Sequence, residues 1–139
     1  VIHFDDVRVP QRHLIGTAAG WGGNPLEDAK YVIGAVKQND GNTPYSVTVK
    51  DVPVDGFWSI TVYGSDGFMK SDDNIVNSSN VKLNADGTFD VYYGSVESCA
   101  DVPNRLDVTE GWSFLMRIYR PGRSVLEGAY TLPAATPVR

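Results

Sequence analysis

One arginine in a strand-like segment is the residue of this sequence best suited to holding a ligand. Arg117 lies within the run Trp112–Arg120, which alternates apolar and other side chains. Because successive side chains of a β-strand point to opposite faces, Arg117 is predicted to share a face with Tyr119 and to point away from Met116. A guanidinium fixed on a sheet can form two parallel hydrogen bonds with a carboxylate.

A second strand-like run, Phe57–Tyr63, offers hydroxyl and phenol groups that would complement this arginine. If the two runs line the same concavity, the resulting cleft suits a carboxylate or a sugar, because aromatic faces stack on apolar and sugar surfaces. The sequence therefore predicts a ligand-binding set on these two runs. Its members are Trp58, Ser59, Thr61, Tyr63, Arg117 and Tyr119.

A structural role is the alternative for Arg117. The guanidinium could pair with Asp90 or Glu127 while its aliphatic stem packs on the sheet. An arginine neutralised in this way would hold strands together and would not contact a ligand. Sequence reasoning leaves both roles open.

Metal chemistry finds little support. His3 and His13 could form a two-histidine, one-carboxylate site with Asp5, but their spacing favours surface histidines. The acidic stretch Asp66–Asp73 resembles a calcium loop, yet it lacks the ligand spacing and the closing glutamate of such loops. We therefore predict no metal site and no cofactor.

Covalent catalysis is also poorly supported. The single cysteine, Cys99, lies between Glu97 and Asp101, and neighbouring carboxylates raise the pKa of a thiol. The chain has no G-x-S-x-G motif. General acid–base chemistry from loop carboxylates stays open as an enzyme hypothesis, although sequence alone does not give the distances between them. The candidate acids are Asp90, Glu97, Asp101 and Glu127.

Composition sets limits on the function. The chain has 139 residues with 42% hydrophobic residues, 21% charged residues and a formal net charge of −5. This acidic balance argues against a nucleic-acid surface, and no apolar stretch is long enough to predict a membrane span. The lone cysteine excludes an internal disulfide. Residue 1 is Val, so we expect a processed or trimmed chain, or part of a longer protein.

The elements that must position these residues read as short strands separated by turn signals, which predicts an all-β antiparallel sandwich. We predict one domain, with an irregular arm over residues 1–24 and the sandwich over residues 25–139. The first two strands below are expected to pair, and Gly87 is expected to supply the turn of a hairpin. The predicted strands are Lys30–Val36, Tyr45–Lys50, Phe57–Tyr63, Val81–Asn84, Thr88–Tyr93 and Trp112–Arg120.

Four motifs in register resemble those of the domain-of-unknown-function family 1214. Phe57–Tyr63 resembles its FWSLTxY strand, Asn84–Thr88 its NxDGS/T turn, Arg117–Pro121 its LRLYxP strand and Val125–Gly128 its VLDGxW segment. The similarity runs from about Trp21 to Val138. One departure is Asn104–Asp107, which stands where the family commonly has an NWLP element, so the aromatic of that element is missing here.

The resemblance implies a jelly-roll-like sandwich of a bacterial protein with no firmly established reaction. It also implies a protein that is frequently exported, so we expect the periplasm or the exterior more than the cytoplasm. The first functional hypothesis is a small-molecule- or carbohydrate-binding module. The alternatives are a cofactor-independent enzyme that uses the loop carboxylates, and an interaction module that forms a homo-oligomer.

Overall fold

The computed structural model describes residues 24–138, and this part contains eight strands and two short helices. The predicted arm, with Asp5, His3 and His13, therefore lies outside the described residues, apart from Asn24. The strands are β1 (Ala29–Gly34), β2 (Tyr45–Val49), β3 (Val54–Tyr63), β4 (Ile75–Asn77), β5 (Phe89–Tyr93), β6 (Arg105–Leu106), β7 (Ser113–Pro121) and β8 (Thr136–Pro137). The helices are α1 (Val96–Cys99) and α2 (Arg123–Leu126).

The strands form two four-stranded sheets. Sheet A has the order β1-β7-β3-β4, and sheet B has the order β6-β5-β2-β8. All pairs are antiparallel except β5–β6, which is parallel. The expected pairing of the first two strands is wrong, because β1 pairs with β7 in sheet A whereas β2 pairs with β5 and β8 in sheet B.

The core lies between the two sheets and follows from the two-residue alternation of the strands. Trp58 of β3 stacks on Phe89 of β5 with ring centroids 4.8 Å apart, and Phe114 of β7 stacks on Tyr93 at 5.4 Å. These pairs join sheet A to sheet B. The inward side chains of the central strands are buried in one cluster that includes Val47, Val49, Ile60, Val62, Val91, Met116 and Ile118.

The segment before β5 forms the predicted turn but not the predicted hairpin. Gly87 has φ +82°, and its N–H donates to the carbonyl of Asn84 at 3.0 Å. A positive φ favours glycine, which explains the residue at this position. Val81–Asn84 is not a strand, however. Beyond the turn itself, its backbone is joined to the segment that leads into β5 by a single described bond, from Asn84 N–H to the carbonyl of Thr88.

The all-β sandwich predicted from the alternation is thus confirmed, with one parallel pair that was not anticipated. The jelly-roll strand order implied by the resemblance stays a prediction. Neither of the helices in residues 24–138 has the length or the apolar character needed to cross a lipid bilayer.

Candidate functional site

The face of sheet A that points away from sheet B, called here the outer face, collects most of the predicted site residues. The strand register places Ser59 of β3 directly beside Arg117 of β7, and Arg117 directly beside Tyr31 of β1. Residues that oppose each other in neighbouring strands share a face of the sheet. The neighbouring rows of this face contain Phe57 with Tyr119, Ile33 with Leu115 and Thr61, and Tyr63 with Ser113.

Arg117 is oriented by two neutral hydroxyl groups. Its Nη2 donates to the Tyr63 hydroxyl oxygen at 2.8 Å, and its Nη1 donates to Thr61 Oγ1 at 3.3 Å. The guanidinium carbon lies 5.9 Å from the centroid of the Tyr63 ring, which is cation–π distance. A guanidinium has five N–H groups, so donors remain for a further partner.

Neither of the two ion pairs considered for Arg117, with Asp90 or with Glu127, forms. Asp90 accepts hydrogen bonds from Thr48 and Asn84, and the nearest cation to Glu127 is Arg123, at 3.8 Å. Asp90 lies on β5 in sheet B, so it is on the wrong sheet for contact with the outer face. Within residues 24–138, no carboxylate lies within salt-bridge distance of Arg117.

Trp58 lies apart from the other five predicted residues. It alternates with Ser59 along β3, points into the core and is 6% exposed. The structure therefore brings together Ser59, Thr61, Tyr63, Arg117 and Tyr119 and leaves Trp58 on the opposite face of the same sheet. The physical reason is the strand alternation itself, which separates neighbouring residues of one strand.

Exposed apolar side chains surround Arg117, whereas Ser59 and Thr61 of the predicted site are each only 3% exposed. Tyr31 is 38% exposed, Phe57 36% and Ile33 80%. Phe57 also lies beside Tyr119, with ring centroids 5.9 Å apart. Contiguous apolar side chains on an outer surface mark contact sites. Tyr31 and Ile33 were not among the predicted site residues, although their alternation with Lys30 and Val32 already indicated that they share a face.

A cleft of about 400 Å³ opens elsewhere, beside the edge strands β4 and β6. Its floor includes the buried Val76 and Leu106, and Asp101, one of the candidate acids, lies on its rim. The segment that departs from the family motif, Asn104–Asp107, supplies part of one wall. The cleft is formed by Ile75, Val76, Asn80, Lys82, Asp101, Val102, Pro103, Asn104, Arg105 and Leu106.

The polar groups inside this cleft are already engaged. Arg105 donates to the carboxylates of Asp107 and Asp73 and to the carbonyl of Gly94. The Asn104 amide is bonded to the backbone of Lys82 and to the carbonyl of Asp90. Arg105 and Asn104 are therefore committed to contacts within the fold, whereas Lys82 and Asp101 of the same cleft form no salt bridge within residues 24–138.

The carboxyl groups show no signature of a general acid. Hydrogen bonds from its own backbone N–H and from the Ser95 side chain lower the pKa of Glu97, and the backbone N–H groups of Thr43 and Asn42 lower that of Asp40 to about 2. A general acid at neutral pH needs a raised pKa. Every Asp and Glu with a resolved shift among residues 24–138 shifts downward.

The calcium-like loop and the cysteine, which the sequence also offered as candidates for chemistry, make contacts within the fold. Asp66 contacts Lys70, and the Lys70 side-chain hydrogen bond lowers the pKa of this carboxyl. Cys99 ends helix α1 and is a free thiol. Within the part of the chain that the structure describes, no three His, Cys, Asp or Glu side chains converge as a metal ion requires.

The comparisons with known proteins agree with this fold. The model of the family "Protein of unknown function (DUF1214)" matches residues 30–123. The VPA0106 protein from Vibrio parahaemolyticus is similar, with 27% identity, a TM-score of 0.74, and coverage of 89% of this chain and 34% of that one.

An uncharacterised protein from Burkholderia cenocepacia shares the fold, with 18% identity, a TM-score of 0.68, and coverage of 94% of this chain and 34% of that one. The chain thus spans about a third of the length of each of these structures. No curated protein matches it. Since the family model covers most of the residues and the sandwich agrees, the chain belongs to the DUF1214 family of proteins of unknown function.

Proposed function

We propose that the protein is a binding module that holds a carboxylate-bearing ligand on the outer face of sheet A, with Arg117 as its anchor. The observation that carries the proposal is a partly buried guanidinium whose hydrogen-bond partners among residues 24–138 are the hydroxyls of Thr61 and Tyr63. A partly desolvated cation without a counter-ion leaves favourable charge-assisted hydrogen bonds unmade. A carboxylate would supply them.

The side chains around Arg117 favour a ligand with an apolar or sugar body. Tyr119 and Phe57 present adjacent rings on one side, and Leu115 lies on the other. Aromatic rings bind apolar bodies and the apolar faces of sugars. Organic acids with an aromatic or aliphatic body, and acidic sugars, can both pair with the guanidinium and contact the rings. Neutral sugars can contact the rings but offer no carboxylate to the guanidinium.

Titration calorimetry with benzoate, hexanoate, glucuronate and glucose tests the proposal. We expect binding of at least one acid, binding that weakens with salt, and weak or undetectable binding of glucose. Removal of the guanidinium in Arg117→Gln should cost about 1.5–3 kcal/mol, or roughly a 10- to 100-fold loss of affinity. Arg117→Lys should lose part of this, because an ammonium cannot bind both carboxylate oxygens in the same geometry.

The matched control is Arg123→Gln, which removes an exposed arginine in helix α2 whose one close acid is Glu127 at 3.8 Å. This variant should bind as the unaltered protein does. Equal affinity for glucose and glucuronate, or an unchanged affinity in Arg117→Gln, would rule out the anchor.

The enzyme hypothesis gains no specific observation from the structure, because no acid among the described residues combines a cleft position with a raised pKa.

A further inference from the structure

The four sheet edges of the sandwich are very unequal. Strand β1 has six residues, whereas β4 has three and β6 and β8 have two each. Short edge strands are one way in which proteins prevent pairing with other chains. In the part of the chain that the structure describes, β1 pairs only with β7, so its other side is a long open edge.

Strand β1 also lacks two other protective features of edge strands, a proline and a β-bulge. It contains no proline, and its pairing with β7 is regular over all six residues. Its single charge, Lys30, lies on the inner face and is partly buried, and its Nζ is already engaged as a donor to the carbonyl of Val125 at 3.1 Å. An exposed, regular and apolar edge is a template for strand addition.

The side chains at this edge are those of a contact surface. Ile33 is 80% exposed and Tyr31 is 38% exposed, and both lie on the outer face. Burial of exposed apolar side chains of this size favours association. In an antiparallel pairing of two β1 strands centred on Val32, Ile33 of each copy would lie opposite Tyr31 of the other.

The charges that flank β1 favour this same arrangement. Glu27 and Asp28 precede the strand and Lys37 follows it, and none of the three forms a salt bridge within residues 24–138. In an antiparallel pair, the acidic start of one strand faces the basic end of the other. A parallel pair would instead place like charges together, which is unfavourable.

From these observations we infer that β1 is a homodimerisation strand, which pairs with β1 of a second copy in antiparallel register and joins two sheets A into one eight-stranded sheet. The partner is a second copy because the edge complements itself in both apolar contacts and charge. This inference is independent of the ligand proposed for Arg117.

Sedimentation and light scattering over a range of protein concentrations test the inference. The unaltered chain should show a concentration-dependent monomer–dimer equilibrium. Ile33→Lys should weaken the dimer at least tenfold while the circular dichroism spectrum stays unchanged, because the side chain is exposed in the monomer. The matched control is Leu83→Lys, at a 62% exposed leucine outside β1, and it should leave the dimer intact.

Charge exchange tests the antiparallel direction. Glu27→Lys and Lys37→Glu should each weaken the dimer several-fold, and the double variant should recover most of the loss. A monomer at every concentration overturns the inference, and so does a dimer that survives Ile33→Lys. A double variant weaker than either single variant overturns the antiparallel pairing.

Discussion

Two arginines in this sandwich have opposite surroundings. Arg105, beside the cleft, has an 8% exposed side chain and bonds to two carboxylates and a carbonyl. Arg117, on the outer face of sheet A, bonds to two hydroxyls. A compensated guanidinium connects chain segments, whereas an uncompensated one retains donors for a partner. Cavity size favours the cleft as the ligand site. The charge environment of the two arginines favours sheet A instead, because Arg105 is paired with carboxylates and Arg117 is bonded to hydroxyls.

The largest expected effect tests whether the outer face of sheet A is dispensable for folding. Trp58 and Phe57 are consecutive residues of β3 on opposite faces, with exposures of 6% and 36%. Trp58→Ala should lower the free energy of unfolding by roughly 3–5 kcal/mol, because it leaves a cavity beneath Phe89. Phe57→Ala should cost about 1 kcal/mol or less. Urea denaturation measures both, and equal losses would contradict a free outer face.

Removal of each arginine tests the comparison directly. Arg105→Gln should lower the free energy of unfolding by about 2 kcal/mol, because it leaves Asp107 without its charged partner and frees the loop that carries Asp73. Arg117→Gln should cost less than about 1 kcal/mol and should act on ligand affinity instead. A larger stability loss from Arg117→Gln than from Arg105→Gln would reverse the assignment of roles.

Acidification should weaken the contacts of Arg105, because its partner Asp107 becomes protonated, and should leave the hydroxyl contacts of Arg117 in place. Burial alone would raise the pKa of Asp107, but hydrogen bonds from Ser71 and Arg105 bring it below the usual 3.8. A pKa lowered in the folded state stabilises the protein above the unfolded value, and this stabilisation is lost as the pH falls from about 4. Denaturation midpoints should therefore fall more steeply below pH 4 in the unaltered chain than in Asp107→Asn. Parallel curves would show that the pair contributes nothing.

The smallest expected effect comes from placing a carboxylate beside Arg117, which has no such partner within residues 24–138. Tyr31 lies directly beside Arg117 on β1. A cross-strand pair of opposite charges contributes about 0.2–1 kcal/mol, so Tyr31→Glu should change stability by no more than this. It should weaken carboxylate binding by occupying the guanidinium. In an Arg117→Gln background, Tyr31→Glu should not weaken carboxylate binding any further. An equal loss of affinity in that background would show that Tyr31 contacts the ligand independently of Arg117.

The faces of the strands could be predicted without coordinates. The alternation of Phe114, Met116 and Ile118 with Arg117 correctly separated the core from the outer face. The same rule separates Trp58 from Ser59, so its exclusion from the Arg117 surface was already readable in the sequence.

The neighbours of the strands could not be predicted in this way. Lys30–Val36 and Tyr45–Lys50 are consecutive in the chain, yet they belong to different sheets. Backbone hydrogen bonds are the same for any two strands, so alternation does not specify which strand lies beside which. Tyr31 and Ile33 join the Arg117 surface only because β1 pairs with β7.

The sequence by itself therefore determined the all-β class, the inward and outward faces of each strand and membership of the family, since these depend on local periodicity and motifs. Tertiary structure alone decided that, among residues 24–138, Arg117 has no carboxylate partner, Arg105 has two, and β1 is a long edge that pairs on one side. These features depend on which distant segments meet, because charge compensation and edge exposure are properties of spatial neighbours and not of neighbours in the chain.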